Sequence, residues 1–318
     1  MRKPERAPRD LRGAAARRPS ARRPSARENL AGWAMTAPAG AGLVLFVAVP
    51  FVLAIWLSFH FVNLNSILPP RWFGFEQYRR LLTSGVFYRS LVNNLVFAAV
   101  VVPLQTGLAV ALAILVNRKL RGIAILRTLF FLPVVFPMAL VAVIWKLIYS
   151  PDQLGLLNSV LHTVTFGHFA PRDWLGDPAT ALAAIIVMSV WQGVGLQMII
   201  ILAGLQGISP DLYEAAKLDH AGPWQRFCHV TLPGLRNSLV FVVMVTTILS
   251  FQLFDQVYIL TQGGPGNSTS TIMYQAVTSA YTEGDVGQGA ALTVVFFVFV
   301  LVITMIQRRL LREDRAVA

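Results

Sequence analysis

Two apolar stretches of this sequence are interrupted by polar residues at helical spacing. Ser189, Gln192, Gly193 and Gln197 recur in one, and Thr246, Ser250, Gln252 and Asp255 in the other. Lipid-facing positions should exclude such groups, so hydroxyl, amide and carboxylate side chains in this arrangement are candidates for the lining of a translocation path; they do not assemble a nucleophile with its base. The plain alternative is that Ser and Thr bond back to their own helix and Gln bridges neighbouring helices. Other segments suggest chemistry they do not support. Gly263-Gly264-Pro265-Gly266-Asn267-Ser268-Thr269 resembles a phosphate-cradling loop without the necessary Lys, and reads as a turn. Asn267-Ser268-Thr269 also fits a glycosylation sequon. His162 and His168 have no Cys or carboxylate pair at ligand spacing, so no metal site is expected. No GxxxxGK[ST] sequence is present, so no catalytic centre for ATP is expected in this chain.

The elements that position these groups follow from composition. Of 318 residues 55% are hydrophobic and 13% charged, and mean hydropathy is +0.60. So much apolar surface belongs in lipid, where a helix needs roughly 20 apolar residues to cross. Six runs qualify, at 37–59, 91–116, 123–148, 179–203, 238–260 and 289–306, and predict an all-α membrane protein with six transmembrane helices. Pro50, Pro103, Pro133, Pro137, Gly193 and Gly195 interrupt them, as kinked and closely packed membrane bundles allow. Lys146 and Asp255 fall near span ends, and no chain of buried acids crosses the bilayer. That weakens an ion-coupled secondary transporter or channel, the alternative function. The single cysteine, Cys228, excludes an internal disulfide.

Charge sets the orientation. The N-terminal tail, 117–122, 204–237 and the C-terminal tail hold 20 of the 27 Lys and Arg. By the positive-inside rule both termini are cytoplasmic. The net charge of +12 is thus a matter of topology, and no nucleic-acid partner is expected. The chain divides into a disordered basic tail at 1–36, where Arg-Arg-Pro-Ser-Ala occurs twice, a transmembrane domain at 37–307 and a cytoplasmic tail at 308–318. In the first outer loop, Trp72 and Tyr78 suit the headgroup level.

The loop at 204–237 is the most informative segment. Ser209 is a good N-cap, Pro210 is tolerated at the first helical position and Asp211 suits the positive end of the helix dipole. A helix should run from there to about Asp219, turn through His220-Ala221-Gly222 and restart at Pro223 toward Val230. Leu212, Ala215, Ala216 and Leu218 give it a small apolar face, beneath which Trp224 and Phe227 are placed. On these grounds alone, a docking helix and an interfacial helix lying on the membrane are equally supported.

Glu214-Ala215-Ala216, Asp219, Ala221, Gly222 and Val230-Thr231-Leu232-Pro233 closely resemble the EAA loop of ABC importer permeases. Phe131-Leu132-Pro133, Gly155-Leu156-Leu157-Asn158, Trp174-Leu175-Gly176, Ala203-Gly204-Leu205-Gln206 and Leu260-Thr261-Gln262-Gly263-Gly264-Pro265 are similar to its sugar and glycerol-3-phosphate branch, and to the first permease of the maltose type. The resemblance implies the type I importer fold. It implies a heterodimer with a second permease, two ATP-binding subunits that carry the ATP-Mg, an extracytoplasmic solute-binding protein and a sugar substrate. It assigns ATPase coupling to Glu214, Ala215, Ala216, Asp219, His220, Ala221, Gly222, Leu232 and Pro233. It points to the fourth and fifth spans for the sugar path, with Ser189, Gly193, Thr246 and Ser250 at substrate-contacting positions. No span offers the central Arg or Lys expected for glycerol phosphate. His220 departs from the pattern, standing where the family has Gly. Either the turn has moved to Gly222 or His220 bears a positive φ at some cost.

Overall fold

Where apolar runs meet Gly, Pro and charged residues, helices begin and end. The computed structural model describes residues 26–118, 121–152 and 155–310. The chain divides into two units, Met1–Val52 and Leu53–Ala318. A long apolar helix, α1 (Trp33–Ser58), has none of its most apolar window buried. Its helical run is already under way at Ala26, so the tail expected to be disordered over 1–36 is helical in its last part. Residues 1–25 and 311–318, which hold the rest of both expected tails, lie outside the described residues.

After α1, β1 (His60–Phe61) pairs antiparallel with β2 (Arg71–Trp72). Then come α2 (Glu76–Thr83), α3 (Gly85–Val116), α4 (Ile123–Val135), α5 (Met138–Ile148), α6 (Leu156–Val164) and α7 (Ala181–Gln206). The loop helices are α8 (Pro210–Leu218) and α9 (Pro223–Gly234). They are followed by α10 (Arg236–Phe251), α11 (Asp255–Leu260), α12 (Ile272–Val277) and α13 (Val286–Leu310). Trp72 is exposed on its hairpin, whereas Tyr78 turns inward and its hydroxyl meets Ser58 Oγ at 2.6 Å.

Four helices, α1, α3, α7 and α13, are long and apolar enough to cross a membrane, and two bent pairs raise the number to as many as six. Two expected spans are not straight. The third breaks between α4 and α5 with a bend of 100°. Phe136 (ψ 139°) and Pro137 (ψ 137°) are both extended there, as a residue before proline tends to be. The fifth, expected to run unbroken over 238–260, stops at Phe251 and resumes as α11. The Leu253 carbonyl in the gap instead accepts from the Thr271 hydroxyl at 2.8 Å. On its other side α10 joins α9 at a bend of 67°.

Within Leu53–Ala318 the central element is α7, with 61% of its most apolar window buried against 33% for α3. It packs along α3 and α4 and touches α10. A membrane offers little hydrophobic drive between helices, so contact depends on small residues that let backbones approach. At Gly195 a Cβ would collide with the Phe130 carbonyl of α4, and at Gly204 with Ser238 Oγ of α10. Arg127 of α4 donates through Nη2 to the Val116 carbonyl at 2.8 Å, closing the end of α3.

Gly195→Val should therefore push α4 off α7 and lower stability by about 1–3 kcal/mol. Gly107→Ala, where a Cβ meets nothing within 4 Å, should be close to neutral. Thermal unfolding of the two variants in detergent checks the contrast.

Candidate functional site

The polar residues of α7 and α10 divide into a buried seam and an exposed pair. Ser189 bonds back to its own helix, Oγ donating to the Ile185 carbonyl at 2.8 Å. Gln197 bridges helices: its Nε2 donates to Thr246 Oγ1 at 2.6 Å, and the Thr246 hydroxyl donates to the Val242 carbonyl at 2.7 Å. Both plain alternatives therefore occur. They leave capacity to spare, because Gln197 Oε1 is buried without a partner. Ser250 is buried on α10, while Gln192 and Gly193 are half-buried on α7. Gln252 and Asp255 are exposed where α10 gives way to α11, so they do not continue the buried row. Lys146 donates to the Ile259 carbonyl at 3.1 Å, beside a cavity of about 610 Å³ that Thr261 and Pro265 also line.

A third helix contributes residues that the sequence reading passed over. Gln105 and Thr106 of α3 are buried, and Gln105 rests on Gly193, where a Cβ would strike its amide. The available signal was an amide inside the apolar run 91–116.

The loop helix α8 forms as its caps dictate. Ser209 Oγ accepts from the Asp211 N–H at 3.3 Å, Pro210 opens the helix, and Asp211 and Lys217 complement its dipole. At the other end His220 N–H donates to the Lys217 carbonyl at 3.0 Å and Ala221 N–H to the Ala216 carbonyl at 2.9 Å. This crossed pair is a Schellman ending, which places one residue in the left-handed region. That residue is His220, at φ 56°, while Gly222 is extended at φ −67°. The turn has not moved, and His220 carries the strain usually left to glycine. Gly222 N–H then donates to Gln225 Oε1 at 2.8 Å, starting α9.

α8 is held from behind and open in front. Tyr213 Oη meets Thr231 Oγ1 of α9 at 3.0 Å. Glu214, Ala215, Lys217 and Asp219 are exposed, and Ala216 and Ala221 line a cavity of about 290 Å³ facing α9. Leu212 and Leu218 are 54% and 81% exposed, so with Ala215 they form an outward apolar stripe. Trp224 does not pack beneath α8 as expected. The extended backbone at Gly222 turns it outward, 73% exposed and stacked on Phe227. Leu232 and Pro233 are exposed and border an apolar cavity of about 460 Å³ with Arg236, Val240 and Leu310.

Motifs on the far side are structural. In the loop after α11, Ser268 N–H donates to the Pro265 carbonyl at 3.0 Å and Thr269 Oγ1 to the Gly264 carbonyl at 2.7 Å. Asn93 of α3 clamps it, its Nδ2 donating to the Asn267 and Ser270 carbonyls, each at 2.9 Å. Asn158 is likewise a knot: its Nδ2 donates to the Ser150 and Arg172 carbonyls, and its Oδ1 accepts from Trp174 Nε1 at 2.8 Å.

Known proteins are similar to this chain in sequence and in fold. The chain is 34% identical over 284 residues to a trehalose/maltose transport system permease protein of Thermococcus litoralis, covering 89% of this chain and 94% of that protein. It is 36% identical over 245 residues to a lactose transport system permease protein of Rhizobium radiobacter, covering 76% of this chain and 80% of that one. In fold it is similar to a bacterial ABC transporter that imports the acidic polysaccharide alginate, with a TM-score of 0.77 at 20% identity over 92% of this chain and 98% of that one. A further structure of an alginate transporter, in complex with its alginate pentasaccharide-bound periplasmic protein, gives a TM-score of 0.78 at 20% identity over 90% and 95% of the two chains. The model of the binding-protein-dependent transport system inner membrane component matches residues 105–313, which span α7, the loop helices and α10, and the chain belongs to that family.

Proposed function

We propose that this permease forms half of the translocation path for a sugar or related polyol, beside a second, different permease. An extracytoplasmic solute-binding protein delivers the solute, and two ATP-binding subunits drive the cycle from the cytoplasm. Both termini and the loop at 204–237 lie on the cytoplasmic side, within a permease domain at 37–307. In this reading α8 is the coupling helix. Glu214, Ala215, Ala216, Asp219, His220, Ala221, Gly222, Leu232 and Pro233 make or shape the contact with the ATPase.

The observation that carries the proposal is the form of α8. It is capped at both ends and tied to α9 by Tyr213, yet it turns Leu212, Ala215 and Leu218 outward. A rigid helix with an uncovered apolar stripe fits a groove in a partner. A sugar substrate is supported by the names of the relatives and by the uncharged polar groups at Ser189, Gln192, Gly193, Gln197, Thr246 and Ser250. Gln252 and Asp255, exposed at the break after α10, serve in this reading at its outer mouth.

The test is the complete complex reconstituted in vesicles, with ATP hydrolysis and sugar uptake measured together. Ala215→Trp should leave the chain inserted but abolish coupled hydrolysis and uptake, because a bulky side chain holds the partner's wall away. Normal coupled transport by that variant would remove α8 from its role. His220→Gly should keep coupling and stabilise the chain by a few tenths to about 1 kcal/mol, read from denaturation midpoints. Asn267→Cys should react with an impermeant thiol reagent added outside intact cells; reaction from the cytoplasm alone would overturn the orientation.

A further inference from the structure

Arg226 of α9 is half-buried, and its Nε is buried without a hydrogen-bond partner among the described residues. No carboxylate among those residues comes within ion-pair distance of it. A guanidinium nitrogen shielded from water and left unmet calls for an anion, because arginine cannot shed its charge.

The guanidinium stands between two cavities of about 290 Å³ each. One is the cavity bordered by Ala216 and Ala221, where Asp219 and His229 also form the wall. The other lies behind α8, and no carboxylate lines it. Its polar groups are Arg226 itself, Asn117 at the end of α3, Tyr213 of α8 and Thr231 of α9, and Leu205 of α7 and Phe227 of α9 give it an apolar wall. Tyr213 Oη and Thr231 Oγ1 share a hydrogen bond at 3.0 Å that either can donate, so the one that accepts keeps its own proton for a third group. The Thr231 hydroxyl meets the Arg226 carbonyl only at 3.5 Å. Arg118 and Arg121, exposed in the connection that begins at Asn117, add positive charge to this end of α3.

We propose that Arg226, Asn117 and the Tyr213–Thr231 hydroxyl pair form a binding site for a phosphoryl anion. The planar guanidinium donates to two phosphoryl oxygens, and the spare hydroxyl proton and the Asn117 amide serve those that remain. A carboxylate has too few oxygens to meet all of these donors. Leu205 and Phe227 accommodate the carbon part of a phosphate ester. Two sources carry this chemistry: the headgroup of an anionic phospholipid in the cytoplasmic leaflet, and a phosphate dissolved in the cytoplasm. Because the lining comes from four helices, the bound anion ties α8 and α9 to the ends of α3 and α7. The naming of these sources rests on the orientation proposed above; the site itself depends neither on the transported solute nor on the role given to α8.

The test uses the full-length chain, freed of lipid in a polyoxyethylene detergent that carries no phosphate. Amide hydrogen exchange over 210–234 is followed by mass spectrometry. One arm adds phosphatidylglycerol, with diacylglycerol of the same chains as its control, and the other adds inorganic phosphate against chloride at equal ionic strength. Exchange should slow severalfold in at least one arm. Slowing by phosphatidylglycerol alone assigns the site to a headgroup, and slowing by inorganic phosphate assigns it to a soluble anion. Arg226→Gln should remove the effect and Arg226→Lys restore part of it, while Arg236→Gln, at the separate apolar cavity, should leave it intact. Thr231→Val, which deletes one hydroxyl and keeps the side-chain shape, should weaken the effect, so the outcome does not hang on whether Arg226→Gln folds. The site is overturned by unchanged exchange in both arms, by equal slowing with diacylglycerol or chloride, or by full slowing in Arg226→Gln or Thr231→Val.

Discussion

Glycines on α7 let three neighbours come into contact with one helix. Gly193 receives Gln105 of α3, Gly195 meets the Phe130 carbonyl of α4, and Gly204 takes Ser238 of α10. Apolar side chains gain little by leaving lipid for one another, so such a bundle holds together by close contact and buried polar bonds. Both coincide on α7, where Gln197 adds its bond to Thr246. The placement of α3, α4 and α10 thus depends on one helix remaining narrow.

That dependence reaches the loop. α7 leads into α8 through Gly207, Ile208 and Ser209, and α9 leads into α10 through Leu235. The two long helices are joined by Gln197 and Thr246, and the two short ones by Tyr213 and Thr231. A closed frame results, with a polar tie at each level. Displacing α8 without moving α7 or α10 would break a bond whose groups are largely shielded from water. In the proposed mechanism this frame carries the motion of the ATPase to the bundle.

Much of this was legible in the residues, for identifiable reasons. Span positions follow from length and polarity, which lipid enforces strictly, and α8 follows from Ser209, Pro210 and Asp211. His220 could be narrowed only to two outcomes, since whether the turn slips to Gly222 depends on which carbonyls accept the crossed bonds. The bend at Phe136 and Pro137 had a warning in its prolines, but composition alone does not distinguish a gentle kink from a 100° turn. The stop at Phe251 had no local signal, because the Thr271 hydroxyl that takes the Leu253 carbonyl arrives from 18 residues away. Gln105 was hidden for a similar reason: it becomes informative only once Gly193 is known to lie beneath it.

The uncovered stripe of Leu212, Ala215 and Leu218 also bears on the life of the chain before assembly. In the proposed assembly, a subunit inserted ahead of its partners would display that stripe, together with Trp224, to chaperones and proteases that recognise exposed apolar surface. Burial of the stripe in the proposed complex would remove the signal. The surface proposed to transmit force would thereby also set the half-life of an orphan subunit, and cellular levels of this chain would follow the supply of whichever partner is scarcest.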